Sequence, residues 1–212
     1  MKACVWDVDG TLIDSYPVIA GHLHESLVRR GVDMAEEDVM NAIKDHSVAW
    51  LLDKLHKSCG LDAEDVDREY SKLQESELSK IPLIDGAAET IEKLGSMGIR
   101  SFVITHRGRN VYSIFEHLGI AGMFADIITR EDGFKRKPDP ESMYHLLTKY
   151  GLDPGEVLYI GDRRLDIDFA HNSGVLPVLL SDDDKFCADT EYDFLRVASL
   201  YEVPNLLADF GK

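Results

Sequence analysis

Cysteine is scarce in this chain. The three present, Cys4, Cys59 and Cys187, are scattered and odd in number. They provide no disulfide framework and no zinc-ligand spacing, which suits a reducing compartment. Positive charge is in deficit as well: 23 lysines and arginines against 39 acids leave a formal net charge of -16. That sign argues against nucleic acid or an anionic membrane as a partner. It also repels anionic substrates at long range, so any phosphate site needs a local metal ion or lysine. Long apolar runs are missing. Asp7 interrupts the first of them after Ala3-Cys4-Val5-Trp6, so no signal peptide or membrane span is expected there, and no later run is long enough. The expectation is a cytoplasmic protein. Repeats and low-complexity segments are absent too. What remains is ordinary for a globular protein: 212 residues and 44% hydrophobic content, enough for one buried core plus a small accessory domain.

Ala3-Cys4-Val5-Trp6 reads as a short strand buried on both faces. Beyond it, from Pro17 to Lys80, the periodicity is helical throughout. Val18, Ile19, Leu23, Leu27 and Val28 share one face of a helix that ends near Gly31, a suitable C-cap. Val48, Leu51, Leu52 and Leu55 repeat at i, i+3, i+4 and i+7 before Gly60, and Val66, Tyr70 and Leu73 mark a third helix. A stretch of this length is too long for a loop and predicts a small all-helical domain over residues 16–81. Pro17 and Pro82 either mark its linkers or start helices. From Pro82 onward helices and strands alternate, with strands at Arg100–Thr105, Ala125–Thr129, Val157–Ile160 and Leu176–Leu180. Helices are expected at Ala87–Leu94, Val111–Leu118, Met143–Tyr150, Ile167–Ser173 and Pro204–Leu207. Alternation of this kind specifies a parallel sheet covered on both faces, built from residues 1–15 and 82–212.

In an open α/β sheet, ligands bind beyond the carboxyl ends of the strands. Three strands end in a chemically useful residue: the first in Asp7, the second in Thr105, the fourth in Gly161-Asp162. A parallel sheet delivers all three to one edge. Asp7 and Asp9, two apart on an extended segment, can face one site, and two such charges need a cation or a shared proton. They are either a metal-assisted nucleophile with its acid/base, or an ordinary Asp-rich turn at Gly10. Lys137 lies in Lys135-Arg136-Lys137-Pro138-Asp139-Pro140, a loop stiffened by two prolines. Asp182-Asp183-Asp184 reads as a solvated loop or a helix start rather than a metal site.

Asp7-Val8-Asp9-Gly10-Thr11 resembles the first motif of the haloacid dehalogenase-like (HAD) superfamily, a phosphoryl-transfer group. Ile104-Thr105-His106 is similar to its second motif, Lys137-Pro138-Asp139-Pro140 to its third, and Gly161-Asp162-Arg163-Arg164-Leu165-Asp166 to its fourth. The resemblance spans the chain, closest to the phosphoglycolate phosphatase-like branch with a helical cap. It implies a Rossmann-like α/β core with a small helical cap inserted after the first strand.

Carried onto this sequence, the resemblance implies Asp7 as nucleophile, through an aspartyl-phosphate, and Asp9 as acid and then base. It implies Mg2+ on the Asp7 carboxylate, the Asp9 carbonyl and Asp162, with Thr105 and Lys137 stabilising phosphoryl charge. Asp166 is expected to orient Lys137. Read without the family, Thr105 is strand filler, Lys137 a surface lysine, and Asp162 and Asp166 a helix cap and an exposed first-turn acid. Asp9 sets the chain apart from dehalogenases and phosphonatases, which lack that acid. Ile19 replaces the cap histidine typical of sugar phosphomutases. The implied activity is therefore hydrolysis of a small phosphorylated metabolite, such as phosphoglycolate or a sugar phosphate, by a monomer or homodimer. The alternatives are a phosphomutase, or a silent scaffold that binds a phospho-ligand or a protein. Two positions depart from the usual motifs, His106 and Arg163. His106 is a candidate for leaving-group contact or a helix cap. Lys44 and His46, in the segment Ile43–Ser47 between two expected helices, are candidates for a second anionic group of the substrate or for an exposed loop.

Overall fold

The computed structural model describes residues 1–76, 80–182 and 191–209. Cys187, Asp183, Asp184 and the side chains of Tyr70 and Leu73 lie outside what it describes. The chain divides into two compact units, Met1–Ile13 with Leu83–Lys212, and Asp14–Pro82.

The first unit is a six-stranded sheet, all parallel, in the order β3-β2-β1-β4-β5-β6. Its strands are β1 (Ala3–Trp6), β2 (Arg100–Ile104), β3 (Asp126–Ile128), β4 (Val157–Gly161), β5 (Leu176–Leu180) and β6 (Leu195–Val197). This is a Rossmann-like α/β fold, with the strand order reversing about β1. Trp6 stands beside Val103 on one side and Ile160 on the other, so the ends of β1, β2 and β4 are level. Ala3, Val5, Phe102, Ile104, Val157 and Tyr159 pack one face of the sheet onto α7 (Glu141–Tyr150) and α8 (Arg164–Ser173). The alternate residues Cys4, Trp6, Val103, Leu158 and Ile160 are buried as well, which accounts for the unbroken apolar runs. Each such large side chain contributes about 1.5–3 kcal/mol by burial. α5 (Ala87–Ser96) contacts β2 and the turn at Leu200–Glu202, α6 (Asn110–His117) follows β2 in the chain, and α9 (Val203–Asp209) packs on α5. β6 was not expected: it has three residues, with Arg196 interrupting its apolar pattern. The insert leaves after Ile13 and the chain re-enters at Leu83, and these two residues bridge antiparallel.

The second unit holds α1 (Tyr16–Arg29), α2 (Glu36–Asp45), α3 (Val48–Cys59) and α4 (Ala63–Ser76). Pro17 lies in the first turn of α1, where its missing N–H costs no helical bond. The buried stripe of α1 is Tyr16, Ile19, Ala20, Leu23 and Leu27, whereas Val28, expected on that face, is 54% exposed. α2 belongs to the segment expected to be helical throughout, although no separate helix was delimited there. Its only buried side chains are Val39 and Ile43, one turn apart, too sparse a pattern to stand out, although its first turn is acidic as helix starts often are. Ile43, Lys44 and Asp45 therefore end a helix, and the expected loop shrinks to His46 and Ser47. Arg30 ties α1 to α4 through Asp65 and Glu69, and Ser26, buried beside it, also donates to Glu69. Among the described residues no helix is long and apolar enough to cross a membrane.

Candidate active site

Asp7, Thr105 and Asp162 each follow the last residue of a strand, β1, β2 and β4 respectively. Asp7 extends the ladder by one bond, its N–H donating to the Ile160 carbonyl at 2.9 Å. The chain then turns sharply. Gly10 has φ +79°, which an L-residue rarely adopts, and the N–H groups of Thr11, Leu12 and Ile13 all converge on the Val8 carbonyl. This turn places Thr11, fully buried, so that its hydroxyl donates to Asp162 Oδ1 at 3.1 Å.

Lys137 is the hub. Its Nζ lies 2.9 Å from Asp7 Oδ1 and 2.7 Å from Asp166 Oδ1, and donates to the Tyr159 hydroxyl at 2.8 Å. All four side chains are buried. Burial alone pushes a lysine toward neutrality, but Asp166 and Asp7 outweigh it and hold Lys137 above its ordinary value. Burial pushes Asp166 up, and the charges of Lys137 and Arg163 more than reverse that. Asp7 goes the other way: burial raises it first, Asp166 adds to the rise, and Lys137 only partly opposes. One lysine thus faces two carboxylates, and Asp7 carries the surplus negative charge. Its Oδ2 is buried with no hydrogen bond among the described residues, and Arg163 Nη2 stands 3.7 Å away.

That surplus bears on a metal. Asp7, Asp162 and Asp166 present oxygens within 4.8 Å of one another. Asp166 is engaged already by Lys137, Tyr159 and the Arg163 N–H. Asp7 Oδ2 and Asp162 are hard oxygen donors of the kind a divalent cation takes, so the residues fit one.

Residues 4–179 match the family model described as haloacid dehalogenase-like hydrolase. The chain belongs to that family. The hydrolase is 29% identical over 184 residues to a phosphoglycolate phosphatase of Yersinia pseudotuberculosis, covering 82% of this chain and 78% of that protein. It is 28% identical over 191 residues to a phosphoglycolate phosphatase of Haemophilus influenzae, covering 85% of each. A solved HAD-superfamily hydrolase of subfamily IA from Geobacter sulfurreducens superposes with a TM-score of 0.75 at 21% identity, covering 98% of this chain and 96% of that one, and so shares the fold.

The remaining expected site residues fall as follows in this hydrolase. Thr105 is buried, and its Oγ1 accepts the Arg107 N–H at 3.0 Å, which leaves the hydroxyl proton to donate elsewhere. His106 faces the lysine loop: Nε2 accepts the Lys137 N–H at 2.9 Å, and Nδ1 meets Arg136 Nη2 at 3.1 Å. Burial and then the charge of Lys137 lower its pKa to about 3, so it is a neutral acceptor that holds the loop. In the helical unit, Lys44 lies 5.3 Å above the Tyr16 ring and His46 stacks on Trp50 with centroids 3.8 Å apart.

Sequence reasoning missed Tyr159, Thr11 and Arg107. Tyr159 could have been found, since a phenol inside a fully buried strand needs a polar partner. Arg107 grips Asp9 with three contacts of 2.6 to 3.1 Å. Gly161 was read only as part of its motif, yet a Cβ there would stand 2.3 Å from Asp166 Cβ and Cγ. Gly161→Ala is expected to force Asp166 off Lys137 and to cost about 1–3 kcal/mol by overpacking. Thermal unfolding checks this; a melting temperature within 1 °C of wild type (about 2–4 °C is expected per kcal/mol) goes against it.

Proposed function

We propose that this hydrolase cleaves small phosphate monoesters by way of an aspartyl-phosphate on Asp7. The observation that carries the reading is the buried Asp7 held 2.9 Å from Lys137, with a second carboxylate, Asp9, two residues on. In the first step an Asp7 oxygen bonds to phosphorus as the ester P–O bond breaks, and Asp9 gives its proton to the departing oxygen. In the second a water attacks the same phosphorus, Asp9 takes the water proton, the Asp7–phosphorus bond breaks, and inorganic phosphate leaves. Lys137 and the Thr105 hydroxyl hold charge on the phosphoryl oxygens, and Asp166 and Tyr159 keep Lys137 aimed at Asp7. Magnesium suits Asp7, the Asp9 carbonyl and Asp162, and when bound it supplies positive charge to the phosphoryl oxygens.

The names of the relatives make phosphoglycolate the first substrate to try, with sugar phosphates next. Ile19, in the position where mutases carry a histidine, is buried in the helical core and offers no proton, which supports hydrolysis over phosphoryl relay. The test is phosphate release from phosphoglycolate, glycerol 3-phosphate, glucose 6-phosphate and p-nitrophenyl phosphate, with magnesium or with a chelator. Release that requires magnesium is expected; none from any ester, or equal release in chelator, sinks the proposal.

A further inference from the structure

Asp9 does not stand alone at the carboxyl edge of the sheet. Arg107, two residues beyond Thr105, reaches it with Nε at 2.9 and 3.1 Å from the two carboxylate oxygens and with Nη2 at 2.6 Å from Oδ1. The Arg107 side chain is 4% exposed and that of Asp9 23%, so the pair is largely shielded from water. Arg107 is itself fixed at its backbone. Its N–H donates to Thr105 Oγ1 at 3.0 Å, and its carbonyl accepts the Arg130 N–H at 2.9 Å. An aspartate's terminal torsion is broad and roughly two-fold, so an ungripped carboxylate samples many planes. A guanidinium fork removes that freedom, which a point charge such as lysine does not.

We infer that Arg107 is a positioning residue: it sets the plane in which the Asp9 carboxylate meets the leaving oxygen. The inference rests on the phosphatase reading above. It couples the residue that binds the phosphoryl group, Thr105, to the one that handles the proton, through the single residue Arg107. A purely structural ion pair would act on stability alone and treat every substrate alike. A positioning role has a different signature, because only esters whose leaving oxygen needs a proton depend on Asp9.

The test compares kcat/KM for p-nitrophenyl phosphate, whose leaving group departs as an anion, with kcat/KM for the fastest alkyl ester of the panel. Arg107→Met is expected to lower the alkyl value about 100-fold, within the range of proton-transfer catalysis, and the aryl value by less than about 10-fold. Arg107→Lys, which keeps the charge and loses the fork, should show the same split in weaker form, and it carries the test should the methionine variant not fold. Combining Arg107→Met with Asp9→Asn should be no slower on the alkyl ester than Asp9→Asn alone. Equal losses on both esters, or a double variant well below Asp9→Asn, overturn the inference while leaving the phosphatase intact. A wild-type protein inert toward all the esters sinks both.

Discussion

Asp7→Asn is expected to abolish phosphate release and, in chelator, to raise the melting temperature. An amide cannot accept the phosphoryl group, so the loss should be on the order of 10⁴-fold or more, as for other catalytic nucleophiles. The stability effect has a separate cause. Burial, then the neighbouring Asp166, hold Asp7 above its ordinary 3.8 despite Lys137. A carboxylate raised in the folded state favours folding below its ordinary value and loses that advantage as pH climbs through the folded one. Ionised Asp7 therefore strains the metal-free protein, and Asp7→Asn removes that charge while leaving Lys137 paired with Asp166. Each kcal/mol relieved corresponds to about 2–4 °C for a chain of this length. Magnesium should raise the melting temperature of the wild type and do much less for the variant. Scanning calorimetry with and without the metal reads both effects; turnover within tenfold of wild type, or a lower melting temperature in chelator, contradicts the assignment.

The sheet and its reactive edge were legible because strand ends announce themselves. The apolar runs Ala3–Trp6, Phe102–Ile104 and Val157–Ile160 stop at Asp7, Thr105 and Gly161-Asp162, where an apolar continuation would have been unremarkable. Parallel alternation then dictated that the three ends meet, with no knowledge of which strands are neighbours. What was hidden is of two kinds. α2 and β6 bury few side chains, and a period cannot be read from two apolar positions. The partners of charged groups were hidden for another reason. Nothing local tells that Arg107 will close on Asp9, 98 positions earlier, or that His106 will turn its ring to Lys137, 31 positions later. Those choices are made by the fold, once level strand ends and a turn at Gly10 have brought the residues within reach. The same holds for the cations that offset the overall charge of -16. Lys137 and Arg163 are unexceptional in a list of residues and decisive only because α8 and the 135–140 loop gather them at Asp7.

Lys137→Met should be the most destabilising single change in the site. The lysine is 1% exposed and balances two carboxylates exposed by 3% and 2%. Removing one partner from such a cluster typically costs about 3–5 kcal/mol, because the charges left behind have no solvent to return to. For a chain of this length that is a fall of roughly 6–20 °C in melting temperature. The pH dependence of the difference follows from the shifts. Lys137 is raised above 10.5, so its contribution is complete below that value and is lost as pH rises through the folded pKa. Asp166 is depressed below 3.8, so its contribution is complete above that value and is lost as pH falls through the folded pKa. Without the lysine both Asp7 and Asp166 rise, so the gap between wild type and Lys137→Met should narrow as pH falls and these carboxylates take up protons, and should narrow again as pH rises through the folded value of Lys137. Activity should fall by about 10²–10³-fold for want of a cation on the phosphoryl group. Adding Asp166→Asn to Lys137→Met distinguishes the two roles. The double variant leaves Asp7 as the one remaining carboxylate of the cluster and should regain much of the lost stability. It should regain none of the turnover, since the cation at Asp7 is still missing. Stability unchanged by the second substitution would mean that Lys137 is held by something other than its two carboxylates. Turnover restored by it would remove Lys137 from the chemistry.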